Sequence, residues 1–559
     1  MRRAPNSLVP GTLSASRALL FASAAGAFAL AAPVGASASP LVGAGSTAGA
    51  SARVSSVHDL PTTLPSPKAS AARLSASHSG RWLIAATGDT GQLAKVAADA
   101  GGTYNATLSI LSVPEAKASA IAKQLGSAVQ WAGADVPAVR SSSYDQPGNV
   151  QSQWSRSVAL APSLTPAAGT LARIGIVDDA VDRSVAELAA TDVINGVGAV
   201  EPHGTMVAST AAAPYDGIGV VGVAPGAPVL SWGTTLLCSD VATGIIKLVG
   251  RGAQVINLSL GFTENCGALL AAVEYTYAKR VTMVVASGND GDNGNPLSYP
   301  ASYPHVITAA AIDPTLAVAS FSNFNEYVDV SAPGVDVPVD IPLRWDIDDG
   351  KADGQTTVAG TSFASPFVAG GVSWILGARP GLDPSQVAAV LRGSSRDLDA
   401  PGWDQRSGYG LVQVGPAMNT PAPAPDALEP NDFPAYVSSK GTFKKKVIWS
   451  GGKSSTLTAT ADSADDYVDA YRVKVPPRTT VKATLKPASG LVNLFGFDQS
   501  VRSFTGKPID SSTKGALKTD TIRLRNSSSK SRIAFVVVNA VPAGGVRTLA
   551  SYSLTVKRS

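Results

Sequence analysis

Ile174-Gly175-Ile176-Val177-Asp178 is a short apolar run that ends in a carboxylate. Runs of the same kind recur downstream, separated by stretches whose apolar residues keep helical spacing. They are Val229 to Ser231, Val255 to Leu258, Val281 to Val285 and Val306 to Ala309, with helices expected after His203, Asp240, Gly267 and Ser362. This alternation is typical of a parallel sheet covered on both faces. The sequence therefore predicts a doubly wound α/β body from Leu171 to Met418, with active residues where strands end.

The composition is that of a globular protein with more than one folded unit. Hydrophobic residues make up 45% of the 559 residues and charged residues 15%, a balance that can bury a core. The formal net charge of +4 is small for this length, and no basic cluster is dense enough to indicate a nucleic-acid partner. We therefore expect no nucleic acid to bind.

Residues whose side chains could take part in catalysis lie at the predicted ends of these strands and helices. Asp178 closes the first strand, and His203 opens a helix. Ser362 lies in Gly360-Thr361-Ser362-Phe363-Ala364-Ser365-Pro366, at the start of another helix, and Asn289 follows the Val281 strand. Acyl transfer at a peptide bond needs a nucleophile, a base, a group that orients the base, and donors for the oxyanion. These residues supply all four types.

The choice of base is narrow because the chain has four histidines, two of which precede the α/β body. His203 and His305 remain. We interpret His305, which stands before a predicted strand, as structural. Taken singly, Asp178 and Ser362 could each be helix caps and Asn289 a turn residue. Their combination favours a catalytic site.

These segments, in the chain order Asp, His, Ser, resemble the subtilisin family of serine proteases. The similarity extends to Val255-Ile256-Asn257-Leu258-Ser259-Leu260-Gly261, Tyr299-Pro300-Ala301 and Ser331-Ala332-Pro333-Gly334. The resemblance implies the subtilisin-like fold. It also implies a serine endopeptidase that acts on protein or peptide substrates, needs no cofactor for its chemistry and functions as a monomer.

The resemblance also implies a role for each residue. Ser362 would attack the scissile carbonyl, His203 would act as general base, and Asp178 would fix the imidazole. Asn289 would help to hold the oxyanion. Two further segments would bind substrate. Ser259, Leu260 and Gly261 would pair with an extended substrate as a strand, and Ala286, Ser287 and Gly288 would form a wall of its side-chain pocket.

The sequence departs from the family pattern beside Asp178, where Asp179-Ala180 replaces the usual Thr-Gly. A catalytically silent subtilisin fold that serves as a binding protein is therefore one alternative. A processing protease of narrow specificity is another. The segment before His203 also lacks the family's usual acidic residues. A structural calcium ion is therefore not assigned to particular ligands, and we predict no metal-binding residues.

The N-terminal region predicts export. Arg2 and Arg3 precede an apolar run from Ala18 to Val34, and residues 1–38 fit a signal peptide, which predicts a secreted, extracellular protein without a membrane anchor in its mature form. Residues 39–80 are Ser/Ala/Gly/Pro-rich and predict a flexible lead-in. Residues 81–140 contain strand and helix patterns and resemble the family's inhibitor propeptide, an intramolecular inhibitor. The mature end is expected between Val139 and Gln153.

Cys238 and Cys266 are the only cysteines. An exported chain meets oxidising conditions, so we predict one disulfide, worth roughly 3 to 4 kcal/mol by loop entropy. Two unpaired buried thiols are the alternative.

The peptidase domain is expected over residues 141–418 and is followed by a change of composition. Residues 419–430 form a Pro-rich linker, and residues 431–559 alternate apolar and polar side chains. The segment Asp426-Ala427-Leu428-Glu429-Pro430-Asn431-Asp432 resembles the opening of a bacterial pre-peptidase C-terminal domain. We predict an antiparallel β-sandwich whose role stays open among binding, secretion and stabilisation.

Overall fold

The apolar runs predicted as strands lie side by side in one parallel sheet. The computed structural model describes residues 80–559 except 137, 141–154, 156–170, 196–200, 217–218, 347–350, 426–427, 438–444, 502–503, 505–506 and 543–546. The described strands of this sheet are β6 (Ile174–Asp178), β7 (Asp192–Asn195), β8 (Val229–Gly233), β9 (Val255–Leu258), β11 (Thr282–Ala286), β12 (Ile307–Ile312) and β13 (Val330–Pro333), in the order β13-β12-β11-β9-β6-β8-β7. Every neighbouring pair is parallel.

Successive residues of a strand point to opposite faces of the sheet, so these apolar strands place apolar side chains on both faces. Helices cover both faces and bury those side chains. Among the described residues, the helices of this region are α3 (His203–Ala212), α4 (Cys238–Gly250), α5 (Gly267–Ala278), α6 (Thr361–Ala378), α7 (Pro384–Ser394) and α8 (Val414–Asn419). One buried cluster joins α3 and α6 to one face, and a second joins α4 and α5 to the other. The predicted doubly wound fold is confirmed.

The N-terminal described segment forms a small sheet of its own. It contains β1 (Arg81–Ala86), α1 (Thr90–Asp99), β2 (Thr103–Asn105), β3 (Ile110–Pro114), α2 (Glu115–Leu125) and β4 (Val129–Ala134). Apolar and polar side chains alternate from Thr103 to Ile110, which predicts a single strand. The structure has a hairpin there, so that prediction is wrong. Asn105 Oδ1 accepts the N–H groups of Thr107 and Leu108 and turns the chain after three strand residues.

Two short strand pairs lie outside these sheets. β5 (Val139–Arg140) pairs antiparallel with β10 (Leu260–Gly261), and β14 (Val337–Asp340) pairs antiparallel with β15 (Gln355–Val358). The first pair joins the end of the N-terminal unit to the segment that follows β9.

The C-terminal region is a sandwich of two sheets. After α9 (Pro434–Val437), its strands are β16 (Val447–Trp449), β17 (Ser454–Asp462), β18 (Val468–Val475), β19 (Thr479–Ser489), β20 (Val492–Asp498), β21 (Asp510–Ser512), β22 (Asp520–Asn526), β23 (Arg532–Ala540) and β24 (Leu549–Arg558). The sheet orders are β16-β18-β23-β20-β21 and β17-β24-β19-β22. All pairs are antiparallel except β16 with β18, and the inward-facing residues form one buried cluster. The predicted sandwich is confirmed.

A buried ion-pair network joins the sandwich to the α/β body. Arg392 of α7 donates to Asp329, with Nε 2.9 Å from Oδ1, and to Asp465, with Nη2 2.8 Å from Oδ2. Arg547 donates from Nη1 to the same Asp329 oxygen at 2.8 Å and from Nε to Asp462 Oδ1 at 2.7 Å. Asp329 and Arg547 are buried, and only 12% of the Arg392 side chain is exposed, so each ion depends largely on the others for its solvation.

Most of the N-terminal features predicted from sequence lie outside the described residues. The signal peptide (residues 1–38), residues 39–79 of the lead-in, and residues 141–153 of the expected mature end all lie there. Within the described part, no helix combines the length and the hydropathy that crossing a bilayer requires. The contacts group residues Arg53–Ser559 into one unit, while the domain boundaries predicted from sequence stay predictions.

Candidate active site

Asp178 and His203 form a buried hydrogen-bonded pair at the carboxyl edge of the parallel sheet. Asp178 ends β6, His203 begins α3, and Asp178 Oδ1 lies 2.6 Å from His203 Nδ1. The same oxygen accepts the backbone N–H of Asp179 at 2.7 Å. Both side chains of the pair are at most 2% exposed. A carboxylate held in this way can orient an imidazole and stabilise its protonated form.

Gly204 allows the helix start to approach β6 this closely. A Cβ atom added at Gly204 would lie 2.0 Å from the backbone oxygen of Asp179, a distance that no side chain can occupy. The role of Gly204 depends on a contact with a residue that is distant in sequence.

Ser362 is the second residue of α6 and is fully buried. Its Oγ donates to the backbone oxygen of Ser259 at 3.0 Å, and Ser259 Oγ donates to the backbone oxygen of Ser362 at 2.7 Å. The next side chain, Phe363, places its ring centroid 6.0 Å from that of His203. The first turn of α6 therefore lies alongside the start of α3, and the hydroxyl, imidazole and carboxylate occupy one buried region.

Asn289 is tied to the residue before Ser362. Its Oδ1 accepts from the backbone N–H of Thr361 at 3.0 Å and from Thr361 Oγ1 at 2.7 Å. With the oxygen engaged, the NH₂ group is the part of the amide left to donate to another acceptor. Thr361, which sequence reasoning did not single out, thus determines the orientation of this amide.

Asn257 is a second residue that sequence reasoning missed. It is fully buried in β9, donates from Nδ2 to Ser259 Oγ at 3.0 Å, and accepts from Ser365 Oγ at 2.7 Å. Together with the reciprocal Ser259–Ser362 bonds, this chain of hydrogen bonds fixes the start of α6. A polar residue inside an apolar strand is the sequence signal that could have revealed it.

The predicted substrate-binding residues lie around Ser362. Leu260 and Gly261 form β10, whose edge pairs with Val139 and Arg140 of the same chain. Ala286 ends β11, Ser287 Oγ lies 3.3 Å from Ser322 Oγ, and the N–H of Gly288 donates to Thr361 Oγ1 at 3.3 Å. These assignments remain predictions.

Cys238 and Cys266 are bonded, so the predicted disulfide is confirmed. It connects the first residue of α4 to the residue that precedes α5. Both helix starts lie beside the N-terminal unit, because the N–H of Cys238 donates to the backbone oxygen of Val136 at 2.9 Å, and a Cβ at Gly267 would lie 2.9 Å from the Trp131 ring.

The described residues include two groups with metal-ligand chemistry. One consists of Asp178, Asp179 and His203, and the other of His305, Glu429, Asp432 and Asp466. The first group consists of the hydrogen-bonded pair described above and the adjacent Asp179. The second lies away from Ser362, where the α/β body meets the sandwich.

Comparisons with known proteins agree with this geometry. A family model described as the subtilase family matches residues 169–410. Fervidolysin from Fervidobacterium pennivorans is 36% identical over 265 residues, which is 43% of this chain and 38% of fervidolysin. Subtilisin DY from Bacillus licheniformis is 35% identical over 262 residues, which is 44% of this chain and 90% of that protein. A probable subtilase-type serine protease of Deinococcus radiodurans is 38% identical over 231 residues, or 38% of this chain and 31% of that protein.

The sequence match thus spans less than two fifths of the length of fervidolysin and of the Deinococcus protein. A solved structure extends the likeness in fold. The crystal structure of fervidolysin, a keratinolytic enzyme related to subtilisin, superposes with a TM-score of 0.54 at 19% identity and covers 83% of this chain and 87% of that chain. Similarity at this level of identity is a similarity of fold.

Proposed function

Because this chain belongs to the subtilase family, we propose that it is a serine-type endopeptidase that cleaves peptide bonds through an acyl-enzyme on Ser362. The observation that carries the proposal is the buried pair of Asp178 and His203, 2.6 Å apart, beside the helix start that bears Ser362. The chemistry uses side chains and backbone N–H groups of this chain alone.

In the proposed reaction, the Ser362 hydroxyl turns from the Ser259 carbonyl to the imidazole, because its single hydrogen serves one acceptor at a time. His203 accepts the proton at Nε2 as Oγ attacks the scissile carbonyl. Asp178 keeps the hydrogen of the imidazole on Nδ1 and stabilises the imidazolium. His203 then donates its proton to the leaving amine, and a water molecule repeats the sequence to release the acid.

Labelling of the full-length protein with a fluorophosphonate tests this proposal. The reagent phosphonylates a serine whose hydroxyl is activated by a base, so we expect one adduct, on Ser362, and parallel loss of peptide hydrolysis. Peptide mapping by mass spectrometry locates the adduct. An adduct on another serine, or undiminished hydrolysis in labelled protein, would contradict the proposed mechanism.

Asn289 supplies a donor for the oxyanion in this proposal. Asn289→Ala is expected to lower kcat by about 100- to 1,000-fold with little change in KM, the magnitude found for the corresponding donor in subtilisin. The donated hydrogen bond strengthens as the carbonyl oxygen becomes negative. Its loss therefore raises the free energy of the transition state more than that of the bound substrate. Steady-state kinetics on a peptide substrate measure it.

Asn289→Asp is the matched variant for this measurement. It keeps an oxygen for Thr361 but replaces the donor by a carboxylate, so kcat should fall at least as far as in the alanine variant. Retention of wild-type kcat by the aspartate variant would assign Asn289 to positioning Thr361 instead.

We further propose that extended protein segments bind along β10 and that the protein is made as a self-inhibited precursor. The pairing of β10 with residues 139–140 of the same chain supports both ideas, because a peptide strand occupies the edge that a substrate strand would use. Asp135 supports the second, since it accepts from the N–H of Ser239 at 2.9 Å and from its hydroxyl, at the start of α4. Secretion, with residues 1–38 as the signal, remains part of the proposal.

A further inference from the structure

His305 is held in an unusual way for a histidine outside the proposed catalytic site. It is buried directly before β12, and its ring stacks on Tyr277 with centroids 3.9 Å apart. Its Nδ1 lies 3.2 Å from Glu274 Oε1 of α5, and its backbone N–H donates to Asp465 Oδ1 at 2.8 Å. These contacts fix the ring and leave its Nε2 facing the segment that leads into the sandwich.

Three carboxylates surround that nitrogen. Together with His305 they form the His305 cluster, which consists of His305, Glu429, Asp432 and Asp466 and offers one ligand atom from each residue, all within 4.8 Å of one another. Nε2 lies 3.5 Å from Glu429 Oε2 and 3.6 Å from Asp432 Oδ2. Both separations exceed the usual N–H···O range of about 2.7–3.2 Å.

The same separations fit ligands that share a small cation. Atoms bound tetrahedrally at about 2.0–2.2 Å lie about 3.3–3.6 Å apart, since a tetrahedron's edge is about 1.6 times its centre-to-vertex distance. Within the described part of the chain, neither carboxylate oxygen of Asp432 accepts a hydrogen bond, although the side chain is fully buried. A buried carboxylate in this position needs a cation or a proton.

Several acidic side chains are grouped around the His305 ring. Four carboxylates, including Glu274, face one imidazole, and the ammonium of Lys445 donates to the backbone oxygen of Glu429 at 2.7 Å. Like charges this close together repel one another strongly in a buried site. The carboxylates are therefore costly to ionise together unless positive charge is added among them.

Glu274 and Asn431 complete the arrangement of a metal centre. A metal-bound histidine usually pairs its other ring nitrogen with a carboxylate, as His305 Nδ1 does with Glu274. Asn431 orients Glu429, because its backbone N–H donates to Oε2 at 2.9 Å and its side-chain amide donates to Oε1.

We propose that the His305 cluster binds one divalent transition-metal ion of the Zn²⁺ class, with the Nε2 of His305 as its nitrogen ligand. Imidazole suits zinc and its neighbours, whereas Ca²⁺ and Mg²⁺ take oxygen ligands. The ion joins the α/β body to the sandwich, since His305 belongs to the first and Asp466 to the second. The site is independent of the proposed peptidase activity.

Zinc binding to the full-length protein after treatment with a chelator tests the proposal. Equilibrium dialysis with elemental analysis should find one more Zn²⁺ per wild-type chain than per Asp432→Asn chain, with the affinity at this site weakened more than about 100-fold in the variant. Glu274→Gln should weaken it by about 10- to 100-fold, because Glu274 orients the ligand without touching the ion. Asp498→Asn, at a more exposed carboxylate paired with Arg532, is the control and should bind as the wild type does.

A second Zn²⁺ on Asp178, Asp179 and His203 would persist in Asp432→Asn protein, so the difference reports only the His305 cluster. X-ray absorption of the zinc-loaded wild type keeps the test decisive if Asp432→Asn does not fold. The expected spectrum has a nitrogen and oxygen shell near 2.0–2.1 Å with imidazole scattering. Equal uptake by both proteins, a wild type that takes up no zinc, or Ca²⁺ binding that excludes Zn²⁺ would overturn the proposal.

Discussion

Ser362→Ala protein is expected to hydrolyse peptides about a million times more slowly than the wild type, the magnitude of the corresponding loss in subtilisin. The substitution removes the atom that would form the acyl-enzyme, while the backbone of α6 and its bond to Ser259 Oγ remain. Single-turnover and steady-state assays on a peptide substrate measure kcat. The precursor should also stay uncut, so its mass should match the unprocessed chain from which any signal peptide has been removed.

Ser373→Ala is the matched control for this result. Ser373 lies in the same helix, is equally buried, and donates to the backbone oxygen of Ala172 at 2.7 Å. Its loss should lower the free energy of unfolding by about 1 kcal/mol and leave kcat near the wild-type value. Hydrolysis by purified Ser362→Ala protein at more than a small fraction of the wild-type rate would refute the assignment of the nucleophile.

Asp178→Asn is expected to lower kcat by about 10⁴-fold. An amide in place of the carboxylate can present its NH₂ to Nδ1, which leaves the hydrogen on Nε2, where the base must accept one. The amide also cannot stabilise the imidazolium by charge. Steady-state kinetics on a peptide substrate measure kcat, and a kcat close to that of the wild type would contradict the role assigned to Asp178.

Asp179→Asn separates the two adjacent carboxylates. Asp179 holds Asp178 through its backbone N–H, which the substitution retains. We therefore expect a much smaller loss of kcat than in Asp178→Asn. If both substitutions cost the same, the roles of the two acids would have to be exchanged or shared.

The sequence predicts elements best where the residues themselves dictate the structure. The strand that ends at Asp178 and the helices that begin near His203 and Ser362 follow from apolar runs and helical spacing, so the ends of these elements and the residues on them could be anticipated. β13 was not predicted as a strand, although its Ser331-Ala332-Pro333 motif was noted, because small residues and a proline carry no strand signal. Its place at the sheet edge comes from pairing with β12.

Roles that depend on distant contacts could not be predicted. Thr361 matters because Asn289 binds it, and Asn257 matters because it links Ser365 to Ser259. His305 was interpreted as structural, and nothing adjacent to it in the chain indicates that carboxylates from residues 429–466 surround its ring. Chain connectivity does not encode such neighbours, and only the folded structure brings them together.

The network around Asp329 makes the sandwich costly to detach. Cutting the chain in the Pro-rich linker and losing the C-terminal strands would take Arg547 and Asp465 away and leave Asp329 and Arg392 to face water or each other alone. Breaking a buried ion pair costs about 3–5 kcal/mol, a large part of the roughly 5–15 kcal/mol by which a typical protein is folded. Asp329 Oδ2 also accepts the N–H of Thr308 in β12, so this loss would reach the sheet that carries the proposed catalytic residues. A form of the chain without the sandwich is therefore expected to unfold faster at high temperature or in denaturant, starting at this junction.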